Sequence, residues 1–200
     1  MNSPMRINNL NNISFLKTIR GKGAIVKDGT STPVSIFEYD KKEDLINFES
    51  LKRKQSWRGS YYLADMICFG EKYMDQGFKI HTLEDGKNSI LAYAVSQDEG
   101  ENLNILLLET APKLSLYNSN RKERYIGETM VAFLAQHALS QGKNLTVDQV
   151  ADRPKTSDFY FSLCKFSRLG DEGAILKRKT APKLLQDNEV HTGKKIELIV

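Results

Sequence analysis

The order of apolar patterning along the chain predicts an α/β fold, and three observations carry that expectation. Short β-rich runs fill residues 22–39 and 79–110, and residues 127–141 have the spacing of an amphipathic helix. From residue 144 onward, strand-like and helix-like segments alternate.

The 200 residues suit one domain with a real core. An apolar share of 40% and a charged share of 27% are those of an ordinary soluble protein. A net charge of +4 and a pI near 8.9 favour anionic ligands. No motif combines aromatic and basic residues in the manner of a nucleic-acid binder, which argues against that class. No apolar run is long enough to span a bilayer and the N-terminus lacks a signal-peptide core, so a soluble, cytoplasmic protein with no membrane partner is expected. Cys68 and Cys164 lie far apart, and with His81, His137 and His191 they form no zinc-spaced cluster. No metal is expected, and both thiols read as small buried apolar groups in a reducing compartment.

Residues 1–21 read as a flexible N-terminal tail, because MNSPMRINNLNN is rich in Asn and poor in large apolar residues. Its Asn/Ser-rich composition is shared with the leaders of some bacterial secreted effectors, so delivery out of a bacterial cell stands as an alternative to the cytoplasm. Residues 22–200 read as a single domain. From Lys22, two β runs flank an Asp28-Gly29 turn. Asp40 is placed to cap a helix carrying Leu45, Phe48 and Leu51. Past the Trp57-Arg58-Gly59 break, a second helix carries Leu63, Met66, Ile67, Tyr73 and Met74. KIHTLED, SILAYAVSQ and NLNILLLET then read as two hairpins, punctuated by Asp85-Gly86 and Glu99-Gly100.

Val131, Leu134, Ala135, Ala138 and Leu139 recur at helical spacing, with Gly142 at the C-terminal cap. A strand from Asn144 to Val150 follows, then a turn at Arg153-Pro154. A helix over TSDFYFSLCKF is expected to start at a cap from Thr156 or Ser157. GAILKRK and KKIELIV read as the closing strands.

The chemistry is expected between the strand ending at Glu109 and the helix starting near Gly127. An apolar strand, a loop and then a Gly-bearing helix start can bind phosphate: free backbone N–H groups and the positive end of the helix dipole face the anion. Arg121, Lys122 and Arg124 add fixed positive charge.

RYIGET, residues 124–129, resembles the Arg/Gln-x-x-Gly-x-Gly/Ala signature of the GNAT N-acetyltransferase superfamily. Thr110-Ala111-Pro112 closes the preceding apolar strand, and DFYFSLCKF resembles that family's helix ending in Phe-Tyr-x-x-Leu-Gly-Phe. The element order matches over residues 34–200, and motif positions fall within 103–166. The resemblance implies a mixed, mostly antiparallel central sheet flanked by helices, with a splayed parallel strand pair formed by 103–110 and 144–150. It implies acetyl-CoA, or another acyl-CoA, as co-substrate, and an amine of a protein or small molecule as acceptor.

On that resemblance, Arg121, Arg124, Tyr125, Ile126, Gly127, Glu128 and Thr129 surround the pyrophosphate, and backbone groups of Thr110 and Ala111 hold the pantetheine. Glu109 is the candidate general base, with Asp148 in reserve, and Tyr160 is the candidate acid. The helix register also allows Phe161 at the family's tyrosine position. Three residues depart from the pattern. Thr129 replaces a smaller residue, Lys165 replaces a Gly, and Glu128 puts a carboxylate in an anion loop, which requires it to point outward. A GNAT-fold module that binds a CoA-like ligand or a protein partner without catalysis is the alternative.

Overall fold

The computed structural model describes residues 18–39, 77–86, 89–111, 114, 122–150 and 154–199. The helices expected around Leu45–Leu51 and Leu63–Met74 lie outside the described residues.

Strands β1 (Thr18–Lys27) and β2 (Thr30–Tyr39) form the hairpin anticipated at Asp28-Gly29, with Lys27 opposite Thr30. Strands β3 (Phe78–Glu84), β4 (Ile90–Glu99) and β5 (Asn102–Thr110) continue as an antiparallel meander. A two-residue strand β6 (Glu123–Arg124) pairs back onto β1 and leads into helix α1 (Ile126–Ser140). Strand β7 (Asn144–Val147) runs parallel to β5. Helix α2 (Pro154–Ser157) continues directly as a π-helical segment (Asp158–Leu163). Strands β8 (Ser167–Leu169) and β9 (Gly173–Leu176), helix α3 (Ala181–Thr192) and strand β10 (Glu197–Leu198) complete the order. The sheet order is β10-β1-β2-β3-β4-β5-β7-β9-β8, and β5–β7 is the parallel pair in it.

Three boundaries and one helix differ from the sequence reading. Strand β1 begins at Thr18 rather than Lys22, and β7 ends at Val147 rather than Val150. Helix α2 opens on Pro154, whose fixed φ suits a first helical position, so neither Thr156 nor Ser157 is its cap. Helix α3 was not anticipated. Its buried positions are Ala181, Leu184, Asn188 and Thr192, two of them polar, so the apolar period that marks a helix is thin. Its end signals, Pro182 at the start and Gly193 at the C-cap, were nevertheless present.

Helix α1 is buried on almost every side from Glu128 to Ala135, because it packs between the sheet and α3. Gly21 and Gly23 on β1 permit this approach. A Cβ at Gly21 would lie 2.8 Å from the Phe133 ring and 2.9 Å from the Glu197 carbonyl oxygen, and Phe133 is fully buried. Gly21→Ala is therefore expected to destabilise the fold by about 1–3 kcal/mol through overpacking. A lowered urea midpoint with an unchanged slope would register it, and an unaltered midpoint would show that Phe133 can move aside.

Candidate active site

The parallel ladder between β5 and β7 is short. It runs from Asn102 opposite Asn144 to Ile105 opposite Val147 and stops there, while β5 continues to Thr110. At the stopping point β5 carries one extra residue, Leu106, against the Val95–Ser96 step of β4. Such a bulge bends its strand and ends regular pairing. Burial changes at the same place: Leu103 to Ile105 are buried, whereas Leu106 to Thr110 are half-exposed. Beyond Ile105 the two strands no longer pair, which leaves a gap in the ladder.

Antiparallel alternation then says which backbone groups face the gap. Ala111 N–H donates to the Leu91 carbonyl at 2.8 Å, so the neighbouring pair Ala92–Thr110 is a non-hydrogen-bonded one. The N–H and C=O of Thr110 point away from β4, as do those of Leu108 opposite Ala94. At Ala111 the N–H is taken by Leu91 and the carbonyl already accepts from the Leu114 N–H at 2.7 Å.

The turn into α1 is built from β1 outward. Asp28 N–H donates to the Lys122 carbonyl, Val26 lies opposite Arg124, and Tyr125 enters the helix with φ 63°. The first helical bond runs from Thr129 N–H to the Tyr125 carbonyl. The N–H groups of Ile126, Gly127 and Glu128 precede that bond in the first turn and have no partner within the helix. Lys122 pairs with Asp28 at 3.5 Å, Arg124 is exposed with no ion pair among the described residues, and Arg121 lies outside them.

Two side chains of the turn, Glu128 and Thr129, are buried. Thr129 is fully buried and its hydroxyl donates to the Ala24 carbonyl at 2.9 Å, bracing the turn on β1. Glu128 points inward rather than outward. It is 1% exposed and meets His191 Nδ1 at 3.0 Å and the Asn188 amide at 3.3 Å, both on α3. Position 128 lies on the α3 side of the helix, so the carboxylate sits behind the turn instead of at its mouth.

Burial pushes the Glu128 carboxyl above its ordinary value, against the opposing hydrogen bond from His191. A raised value in the folded state means that the fold is favoured below the ordinary carboxyl range and loses that advantage as pH rises through the folded value. Gln at this position still accepts from His191 and never ionises. The Tm of Glu128→Gln relative to wild type is expected to rise from about pH 4 to about pH 7. A constant difference would mean that His191 fully compensates the charge.

Gly127 meets a different neighbour. A Cβ there would lie 3.2 Å from the Phe159 ring and 3.9 Å from Thr110 Cγ2, so the gap, the turn and the π-helical segment converge at this residue. Phe159 also lines an open cavity of about 520 Å³ with Lys155, Asp158, Ser162 and Leu163. Tyr160 lies next to it with its ring buried, edge-on to Phe159 and Phe166. Burial, with Cys164 nearby, pushes its phenol above the ordinary value, so the hydroxyl stays protonated. Among the described residues that hydroxyl has no hydrogen-bond partner, and the fully enclosed unpaired side-chain atoms are instead His81 Nδ1 and Asn188 Oδ1. Phe161 is half-exposed under the Arg168 guanidinium.

The two carboxylate candidates separate clearly. Glu109 is half-buried at the end of β5 and accepts a 2.6 Å hydrogen bond from the Tyr93 hydroxyl. Its cross-strand partner is Tyr93, next to Ala94, and Ala94 lies opposite His81, which packs against Phe133 of α1. Glu109 therefore occupies the sheet face away from α1, whereas Thr110 turns its methyl toward Gly127. Asp148 is exposed, one residue past the end of β7.

No family model matches the chain, and no curated protein matches its sequence. Solved structures do match its fold. Mutant forms of the spermidine/spermine N-acetyltransferase SpeG from Vibrio cholerae superimpose with a TM-score of 0.55 at 8% identity, over 75% of this chain and 96% of that one. The fold is that of the GNAT N-acetyltransferases. The ribosomal-protein-S18-alanine N-acetyltransferase from Escherichia coli matches with a TM-score of 0.48 at 15% identity, covering 71% of this chain and 90% of its own. PaiA N-acetyltransferase from Thermoplasma acidophilum, solved in complex with coenzyme A, matches with a TM-score of 0.46 at 13% identity, over 70% and 97%.

The π-helical segment holds more residues per turn than an α-helix between Asp158 and Leu163. Two residues beyond its end, Lys165 has φ 62°, a left-handed conformation that favours Gly. No helix among the described residues is long and apolar enough to cross a membrane, and no group of three or more His, Cys, Asp and Glu among them could hold a metal.

Proposed function

We propose that this protein is an acyl-CoA-dependent N-acyltransferase, with acetyl-CoA as donor and an amine of a protein or small molecule as acceptor. The observation that carries the reading is the early end of the β5–β7 ladder beside the open N-terminus of α1. The end of pairing leaves the outward backbone groups of Leu108 and Thr110 to pair with pantetheine as a strand would. The N–H groups of Ile126, Gly127 and Glu128 then receive the pyrophosphate, with the Arg124 guanidinium beside them.

The amine attacks the thioester carbonyl from the face that carries Glu109, so that donor and acceptor meet across the gap. A C–N bond forms and the C–S bond breaks. Glu109 accepts the amine proton, and the Tyr160 hydroxyl donates one to the departing thiolate. Tyr93 keeps the Glu109 carboxylate in place through its hydroxyl.

Thermal melting with and without millimolar CoA tests the binding step, because a ligand of the native state raises Tm. Arg124→Ala is expected to weaken CoA binding by roughly tenfold, the scale of one charge-assisted contact. An unchanged affinity would move the pyrophosphate elsewhere. Thiol release from acetyl-CoA with a panel of amines, from spermidine to peptide amines, tests the transfer step. Tight CoA binding with no release on any amine would favour the non-catalytic module.

A further inference from the structure

Helix α3 contributes a residue to the anion-binding turn that motif reading passes over. We infer that His191 is a positioning residue: from α3 it holds the 124–129 turn in the shape that receives the pyrophosphate. The inference rests on the CoA-binding reading above.

Tyr125 is the residue between β6 and α1, and its φ of 63° belongs to the left-handed region, which is unfavourable for a non-glycine residue. No side-chain hydrogen bond caps the helix there, so the conformation must be held by something else. Two contacts from His191 do so. Its imidazole stacks on the Tyr125 ring with centroids 4.7 Å apart and planes 11° from parallel. Its Nδ1 binds both Glu128 carboxylate oxygens, at 3.0 and 3.2 Å. One side chain thus grips the turn on either side of Ile126 and Gly127, the residues whose N–H groups must converge on the anion.

The rest of the cluster leaves His191 little freedom. Asn188, one helical turn earlier on α3, donates to Glu128 at 3.3 Å and to the Thr129 hydroxyl at 3.2 Å, and Thr129 is itself tied to Ala24 of β1. Glu128, Thr129 and Asn188 are all buried, whereas the His191 side chain is one-third exposed at the edge. The charge arrangement agrees with this role. The inward carboxylate is covered by the His191 imidazole and kept away from the phosphates, so the turn presents N–H groups without an opposing negative charge at its mouth. Loss of His191 frees Tyr125 to relax from its left-handed conformation and leaves the Asn188 amide as the Glu128 partner on α3.

Titration of the full chain with CoA and with pantetheine, which lacks the pyrophosphate, separates positioning from general loosening of the fold. His191→Ala is expected to weaken CoA binding by roughly three- to tenfold, the scale of one aromatic stacking contact together with a polar one. Pantetheine affinity should not change. His191→Phe, which keeps the stack, should recover part of the loss, as should His191→Gln, which keeps a donor for Glu128. Equal CoA affinity in wild type and His191→Ala, or an equal loss for both ligands, overturns the inference while leaving CoA binding intact. Failure of the wild type to bind CoA overturns the underlying reading and the inference together.

Discussion

Tyr160→Phe is expected to lower acyl transfer by roughly a hundredfold, the usual loss when general acid catalysis is removed. CoA affinity should be unaffected, because in the proposed mechanism the hydroxyl acts on sulfur only as the C–S bond breaks. The ring stays packed edge-on to Phe159 and Phe166, and the hydroxyl has no hydrogen bond among the described residues to lose. Stability should therefore change little. Burial favours the protonated phenol, which is the form an acid requires. Phe161→Tyr controls for the neighbouring position and should neither replace Tyr160 nor lower the rate of transfer. Steady-state rates with a proven acceptor decide the matter, and unchanged turnover in Tyr160→Phe removes this residue from the mechanism.

Glu109→Gln should lower turnover on a similar scale, roughly a hundredfold, because the amide cannot take the amine proton. The substitution is nearly isosteric, and the new carbonyl can still accept the hydrogen bond from Tyr93. Asp148→Asn should remain close to wild type, since Asp148 is exposed beyond the last residue of β7. A large loss in Asp148→Asn with normal Glu109→Gln would exchange their roles. Loss in both would mean that the two carboxylates act on one proton path.

The elements with strong local periodicity were legible in the sequence. Helix α1 and strands β2 to β5 fell within a few residues of their expected limits, because each is a largely apolar run bounded by turn residues. Helix α3 was missed for the opposite reason. Its buried stripe contains Asn188, whose burial makes sense only once Glu128 and Thr129 are opposite it. Those partners are far from α3 along the chain, so no window of sequence reveals the match.

The sequence alone determined that a β-rich first half leads into an apolar strand, a basic turn, a Gly-bearing helix and an aromatic helix, in that order. Local sterics and hydrophobic periodicity are encoded residue by residue, and these suffice for element type and for the GNAT resemblance. Tertiary structure alone decided the direction of each side chain at the site. It turned Glu128 and Thr129 inward and tied up both backbone groups of Ala111. It placed Glu109 on the face away from α1 and brought Phe159 against Gly127. The physical reason is that buried polar groups take whatever partner the packed elements bring within reach. Their partners here come from β1, β4 and α3, tens of residues away along the chain, so a motif names the residues of the turn without showing which of them face the ligand.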